Sequence, residues 1–159
     1  MEAEPNMAGM EGRTRDRVWR YGPLLFWIAF IFFASTGEFS SSNTSRIIGP
    51  FLQWLFPQIS EENLALAHLI TRKVAHFAEY AILGWFAARA FSTSLTPALR
   101  VRWFFISLLL VIICSLADEY HQSFVPTRTG SMYDSLIDMS GGLTALLLYR
   151  LWRRRKVRQ

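Results

Sequence analysis

The chain has 159 residues, enough for one domain, and 52% of them are hydrophobic and 15% aromatic. Its mean hydropathy of +0.20 and its long apolar blocks argue against a soluble domain and make the lipid bilayer its predicted partner. The net charge of +5 does not indicate nucleic-acid binding, because the basic residues flank apolar blocks and form no polar, aromatic-studded surface. The single cysteine, Cys114, lies within an apolar block, which excludes an intrachain disulfide and a thiolate metal cluster.

The N-terminal part of the sequence predicts a polar tail and a first membrane span. Residues 1–20 are polar and end in a run of arginines, as expected of a disordered cytoplasmic tail. An uninterrupted apolar block follows from about Tyr21 to Thr36, and Pro23 is tolerated because it falls in the first turn. A cleaved signal peptide is the alternative, since a basic region, an apolar core and a small-residue stretch follow one another.

The next segment predicts a loop, a short interfacial helix and the start of a longer helix. Residues 37–45 are rich in serine, and the apolar residues 47–56 are too few to cross a bilayer. Ser60 indicates a helix start, because its hydroxyl can cap the helix and the acids Glu61 and Glu62 would lie near the positive end of the helix dipole.

Three further apolar blocks predict the second, third and fourth spans. They cover about residues 66–91, 101–120 and 133–152. Pro97 breaks the connection between the first two of these blocks. The sequence therefore predicts an all-α polytopic membrane protein, a bundle of about four transmembrane helices with a short interfacial helix between the first and the second. The transmembrane domain would cover residues 21–152, and a basic cytoplasmic tail would cover residues 153–159.

The basic residues predict the orientation of these spans, because cytoplasmic loops are enriched in lysine and arginine. All but four of the 17 fall in the N-terminal tail, at the turn between the second and third spans, or at the C-terminus. The four exceptions are Arg46, Arg72, Lys73 and Arg128. Both termini are therefore expected on the cytoplasmic side of the membrane, with the second span entering from outside.

Ionisable residues gather at the outer ends of the second, third and fourth spans, and they form the candidate site. Their spacing of three or four residues places them on one face of each helix. Because an ionised side chain near the bilayer centre costs roughly 2.5–3.5 kcal/mol, such residues normally face the bundle and pair with one another. The candidate catalytic residues are His76, Glu79, Asp118 and Glu119. The candidate binding residues are Lys73, His76, Glu79, Asp118, Gln122, Arg128, Asp134 and Asp138.

Two alternatives stay open for these residues. Buried ion pairs, together with the small residues Gly141, Gly142 and Ala145, are also what a purely structural bundle uses to hold its helices together. No cofactor and no metal are predicted, although a zinc or manganese site is a variant that the charge of Lys73 opposes. Its ligands would be His76, Glu79, Asp118 and His121.

Three motifs lie in these spans. They are Lys73-x-x-His76-Phe77-x-Glu79-Tyr80, Asp118-Glu119-x-x-Gln122-x-Phe124 and Arg128-x5-Asp134. Together they resemble the VanZ-like family of bacterial membrane proteins, and the resemblance covers about residues 23–149. One departure is Asp138, since the family usually has asparagine four residues after the aspartate of the fourth span.

The resemblance implies a role in the bacterial cell envelope, because the namesake of the family lowers susceptibility to the glycopeptide teicoplanin. It implies no known reaction. The first hypothesis is a protein that binds a lipid-linked or cell-wall precursor, with Lys73, His76 and Arg128 contacting an anionic group. The second is an intramembrane enzyme, in which His76 or Glu79 is the general base and an acid of the third span orients it. A transporter is less favoured, because the sequence has no visible internal repeat. Oligomeric state is not specified.

Overall fold

The structure, a computed structural model, describes residues 7–36, 49–126 and 131–157. All regular structure in these ranges is helical and no strand occurs in them, which confirms the all-α class. The long helices and one short connecting helix are α1 (Met7–Ala34), α2 (Glu61–Ser92), α3 (Pro97–Val101), α4 (Trp103–Gln122) and α5 (Met132–Val157). Residues 49–55 are also helical, where the sequence predicts an interfacial helix, and they leave Trp54 exposed.

α1 differs from the prediction at its N-terminal end. The helix begins at Met7, so residues 7–20 are helical although the sequence predicts a disordered tail over residues 1–20. Once the apolar half of α1 has nucleated a helix, each residue added at its end gains a hydrogen bond without a new nucleation cost. Pro23 therefore lies in the interior of α1 and not in its first turn. The predicted loop at residues 37–45 lies outside the described residues.

α2 begins as predicted. Ser60 is the N-cap, and its hydroxyl accepts a hydrogen bond from the Asn63 N–H at 3.3 Å, with Glu61 and Glu62 in the first turn. α2 then continues for 32 residues. Pro97, which the sequence places in the break after α2, is also the first residue of α3. Its fixed φ suits the first turn of a helix.

Contacts between α2 and α5 show that these two helices run parallel. In the N-terminal half of α2, Arg72 contacts Asp134 in the first turn of α5. Near their C-terminal ends, Ser92 Oγ of α2 lies 3.0 Å from Tyr149 OH of α5. The residue numbers of α2 and α5 therefore increase in the same direction along the bundle.

α4 runs antiparallel to both. Glu119, close to the C-terminal end of α4, contacts Ser131, which immediately precedes α5. At the other end of α4, the ring of Trp103 lies 5.5 Å from the ring of Tyr149. α4 thus returns the chain, so that α2 and α5 begin at the same end of the bundle.

α1 is likewise antiparallel to α2. The Tyr21 hydroxyl of α1 donates to Ser94 Oγ, just after α2, at 2.8 Å. At the opposite end, Ser35 Oγ lies 3.3 Å from His121 Nδ1 on α4. The ends of α1 and α4 therefore lie beside the starts of α2 and α5, and we call this end of the bundle the polar end.

The bundle has an apolar centre and an apolar exterior. Tyr80, Leu83, Val111 and Leu146 are completely buried at its centre. Large apolar side chains also cover the outside of all four long helices, among them Phe26, Phe105, Val74 and Leu136. Soluble monomers rarely expose apolar surface of this extent.

One of the described helices, α4, is long and apolar enough to cross a membrane by length and composition. The other long helices carry more charge: α2 contains Arg72, Lys73 and Glu79, and α5 contains Asp134 and Asp138. Hydropathy therefore supports one span, and the predicted bundle of four spans stays a prediction.

Candidate functional site

The polar end is built on a close approach of α2 and α5 that depends on glycine. A Cβ atom at Gly141 would collide with the backbone carbonyl of Phe77, and one at Gly84 would lie 2.7 Å from the carbonyl oxygen of Gly142. The two helices therefore touch backbone to backbone, as small residues permit. Asp138 lies three residues before Gly141 on the same face of α5. The close approach at Gly141 therefore determines which residue of α2 lies opposite Asp138.

His76 of α2 and Asp138 of α5 form a hydrogen bond in the interior of the bundle. His76 Nδ1 lies 3.1 Å from Asp138 Oδ1, with 7% and 0% of the two side chains exposed. An ionised carboxylate only accepts hydrogen bonds, so Nδ1 carries the proton of this bond whenever Asp138 is ionised. The hydroxyl of Ser115 on α4 lies 3.3 Å from Asp138 Oδ2 and 3.1 Å from the Ser135 carbonyl, and shares its proton between them. Asp138 thus joins three helices.

The two cations of α2 both pair with another acid. Arg72 Nη2 lies 3.0 Å from Asp134 Oδ2, and Lys73 Nζ lies 3.2 Å from Asp134 Oδ1. The Arg72 and Lys73 side chains remain 29% and 39% exposed, whereas that of Asp134 is 10% exposed. The positive charge of α2 is therefore held at the outer edge of the polar end, one turn away from Asp138.

α4 contributes two buried carboxylates and an amide. The side-chain N–H of Gln122 donates to Asp118 Oδ2 at 3.1 Å, and the backbone N–H of Ser131 donates to Glu119 Oε2. The second oxygens, Asp118 Oδ1 and Glu119 Oε1, have no hydrogen-bond partner among the described residues, and neither does Gln122 Oε1. Buried acceptors normally have partners, and leaving one without a partner costs about 1–3 kcal/mol.

These residues meet in one cluster, which we call the acidic cluster. It consists of His76, Asp118, Glu119 and Asp138, all buried. Each offers one metal-ligating atom, and these atoms all lie within 4.8 Å of one another. The cluster can coordinate a cation, or it can hold protons and transfer them between an imidazole and three carboxyl groups.

Six of the candidate binding residues meet at the polar end. They are Lys73, His76, Asp118, Gln122, Asp134 and Asp138. Glu79 lies one turn beyond His76 and acts on it electrostatically, and its backbone carbonyl accepts a hydrogen bond from Trp27 Nε1 at 2.8 Å. Arg128 lies outside the described residues. His121, a ligand in the metal variant suggested by the sequence, is exposed on the side of α4 that faces Ser35.

Sequence reasoning missed the part that Ser131 plays. Its hydroxyl accepts a hydrogen bond from the Tyr133 N–H at 3.3 Å, while its own N–H holds Glu119. A serine three residues before Asp134 is a helix-start signal that would have placed the beginning of α5. The predicted orienting partners of His76 were acids of the third span, whereas the structure gives this position to Asp138.

These features define an all-helical bundle with an apolar exterior, one helix able to cross a membrane, and buried ionisable residues at one end. The chain belongs to the VanZ/LLP1 family, whose sequence model matches residues 21–153. The matched region includes α2, α4 and most of α1 and α5, and therefore the whole polar end. The curated proteins and the solved structures that were compared gave no match.

Proposed function

We propose that this chain is a multi-pass protein of the bacterial inner membrane that acts in the cell envelope through its polar end. Both termini would be cytoplasmic, and the polar end would face the outer leaflet or the space beyond it. The supporting observation is the distribution of polarity: nine buried polar or charged side chains gather toward one end, and the outward surfaces of the helices are apolar. The nine are Ser35, His76, Ser115, Asp118, Glu119, Gln122, Asp134, Ser135 and Asp138.

The helix directions support the orientation. α2 and α5 begin at the polar end, and the C-terminal basic residues Arg153, Arg154 and Arg155 lie at the opposite end of α5. Cytoplasmic segments are enriched in such residues, so the polar end belongs on the other side of the membrane.

A lipid-linked or cell-wall precursor is the ligand that this arrangement favours. Arg72 and Lys73 are partly exposed at the outer edge, where they could contact an anionic group while remaining close to Asp134. Deeper in the polar end, the unpartnered oxygens of Asp118, Glu119 and Gln122 could accept hydrogen bonds from hydroxyl or amine groups.

An intramembrane enzyme is the second candidate, and the His76–Asp138 hydrogen bond favours it. A histidine whose Nδ1–H is held by a carboxylate has a fixed tautomer, and its Nε2 is then free to act as a base. A purely structural bundle is the third candidate, since the pairs around Asp134 also hold helices together.

The test is complementation of a deletion strain under cell-wall stress by variants that remain stable. Glu79→Gln and Asp118→Asn keep the shape of the side chain and remove its charge, and His76→Asn keeps a hydrogen-bonding side chain while removing the titratable imidazole. We expect each to lose complementation at normal membrane abundance and with an unchanged melting temperature in detergent, because functional residues are often kept at a cost to stability.

Ser140→Ala is the matched control. Ser140 is exposed on α5 two residues after Asp138, and its hydroxyl bonds only within its own helix. This variant should complement fully. Wild-type complementation by stable forms of all three charge variants would instead leave the chain a structural bundle.

A further inference from the structure

We propose that the acidic cluster binds one divalent first-row transition-metal ion, of the zinc or manganese class, through His76, Asp118, Glu119 and Asp138. The inference names a ligand for the site of the proposed function, and it rests on that function only for the placement of the cluster inside a membrane. The proposed metal binding and the proposed envelope role can be disproved independently of each other.

Geometry is the first argument. One donor atom from each of the four side chains lies within 4.8 Å of all the others. A metal ion at their centre would need only small side-chain movements, because bonds from zinc to nitrogen or carboxylate oxygen are about 2.0–2.2 Å long. The donors come from three helices, which the Gly84 and Gly141 contacts and the Ser115 hydroxyl hold together.

The hydrogen bonds around the carboxylates are the second argument. Asp118 is held through Oδ2 by Gln122, and Glu119 is held through Oε2 by the Ser131 N–H. In each case one oxygen is fixed by a protein donor, while the other is buried and has no partner among the described residues. Metal-ligating carboxylates are typically oriented in this way by donors that do not touch the metal.

The charge of the cluster is the third argument. Three carboxylates meet one imidazole, and in the described part of the chain no lysine or arginine forms an ion pair with any of them. Arg72 and Lys73 are both engaged by Asp134. Buried charges are stable only when they are paired, coordinate a metal or become neutral by protonation. A divalent cation at the centre would compensate two negative charges and supply the partner that the free oxygens lack.

The donor types select the class of metal. Imidazole nitrogen suits zinc, iron and copper, and carboxylates add manganese, whereas magnesium and calcium prefer oxygen ligands only. The cluster differs from the metal variant suggested by the sequence, which used Glu79 and His121 in place of Glu119 and Asp138. This difference makes the structural proposal separable from the sequence-based one.

The experiment uses the full-length chain, purified in detergent, stripped with a chelator and titrated with Zn²⁺ or Mn²⁺ alone. Calorimetry gives affinity and stoichiometry, and the melting temperature gives an independent measure. We expect about one equivalent to bind and to raise the melting temperature, because binding to the folded state alone stabilises it. Ca²⁺ at the same concentration should produce a much smaller rise.

Three variants test the ligands, and a fourth is their control. Asp118→Asn, Glu119→Gln and His76→Asn should each weaken metal binding by at least about tenfold, since even changes to orienting groups have that effect. His121→Asn is the matched control, because His121 is an exposed histidine of α4 outside the cluster, and it should bind as wild type does.

Helical circular dichroism and a single gel-filtration peak identify variants that still fold. The proposal is overturned if the folded wild type binds no metal above the level of nonspecific sites, or if folded Asp118→Asn and Glu119→Gln bind with unchanged affinity. A loss in His121→Asn as large as that in His76→Asn would overturn it, because the bound metal would then depend on a histidine outside the cluster. Envelope complementation is not used, so none of these results depends on the envelope role.

Discussion

His76 and Asp138 are separated by 62 positions in the sequence, and their side chains meet at 3.1 Å inside the bundle. The Asp138 carboxyl group adds a third acid beside Asp118 and Glu119, and at the same time gives the His76 imidazole a hydrogen-bond partner.

Asp138→Asn tests which of these effects dominates in the metal-free protein. The amide oxygen can still accept from His76, while one of three neighbouring negative charges is removed. We expect the chelator-treated variant to melt at a higher temperature than the wild type, by a few degrees if the gain is about 1 kcal/mol. Added Zn²⁺ should stabilise the variant less than the wild type. A lower melting temperature without metal would instead indicate that His76 is protonated and forms an ion pair with Asp138.

Gly141→Ala tests the close approach of α2 and α5. The added methyl group would collide with the Phe77 carbonyl, so the helices must separate, and overpacking of this kind costs about 1–3 kcal/mol. Gly22→Ala is the control, because its nearest neighbour would be Val18 Cγ1 at 3.9 Å. There alanine should stabilise α1 by about 0.5–1 kcal/mol, through the lower backbone entropy of its unfolded state. Melting temperatures in detergent measure the stability of both variants. Equal shifts for Gly141→Ala and Gly22→Ala would contradict the close contact of Gly141 with Phe77.

Tyr149→Phe tests the packing at the opposite end of the bundle. It removes the hydroxyl that lies 3.0 Å from Ser92 Oγ, where both residues are buried. We expect a loss of about 0.5–1.5 kcal/mol in stability, the usual value of one hydrogen bond. Tyr133→Phe removes a hydroxyl from a residue that is 75% exposed, and should change the melting temperature little. A similar loss of stability in both variants would show that the hydrogen bond between Tyr149 and Ser92 does not stabilise the protein.

Reporter fusions test the proposed topology. A fusion after Gln159 and one near Ser94 should both be read as cytoplasmic, because α2 and α5 run parallel and end on the same side. A fusion near Gly130 should be read as external, as the distribution of basic residues predicts. Opposite signals from the first two fusions would contradict the parallel arrangement, and an external C-terminus would overturn the outward site.

The sequence predicted the helical class and the start of α2, because apolar blocks and the capping serine Ser60 are local signals. The start of α1 was less predictable, since helicity at residues 7–20 depends on the apolar half that follows them. Spacing also indicated that residues of α2 near His76 face the same way, since positions three or four apart share a helix face.

All four residues of the acidic cluster were candidates from the sequence, but the sequence did not predict that these four, without Glu79 and His121, would meet. In a soluble helix, the apolar face identifies the side that is buried. In α4 the spacing of Ser115, Asp118 and Gln122 identifies the buried face, but Glu119 and His121 lie on either side of that face and the pattern does not tell which of the two turns inward. The answer depends on Gly84 and Gly141, whose contacts set the positions of the neighbouring helices and leave no periodic signal.

The order of the helices along the chain also constrains how the protein is made. α5 is synthesised last, yet it carries Asp138 and packs against α2 along most of its length. Until α5 emerges from the ribosome, His76, Asp118 and Glu119 lack the helix that completes their cover, and in a membrane the exposure of charged groups to lipid would be unfavourable. In the proposed multi-pass protein, the earlier helices would therefore remain in a protected place, such as the interior of the insertion machinery, and enter the lipid together with α5. A chain that stops before residue 132 would be a natural target for membrane proteases.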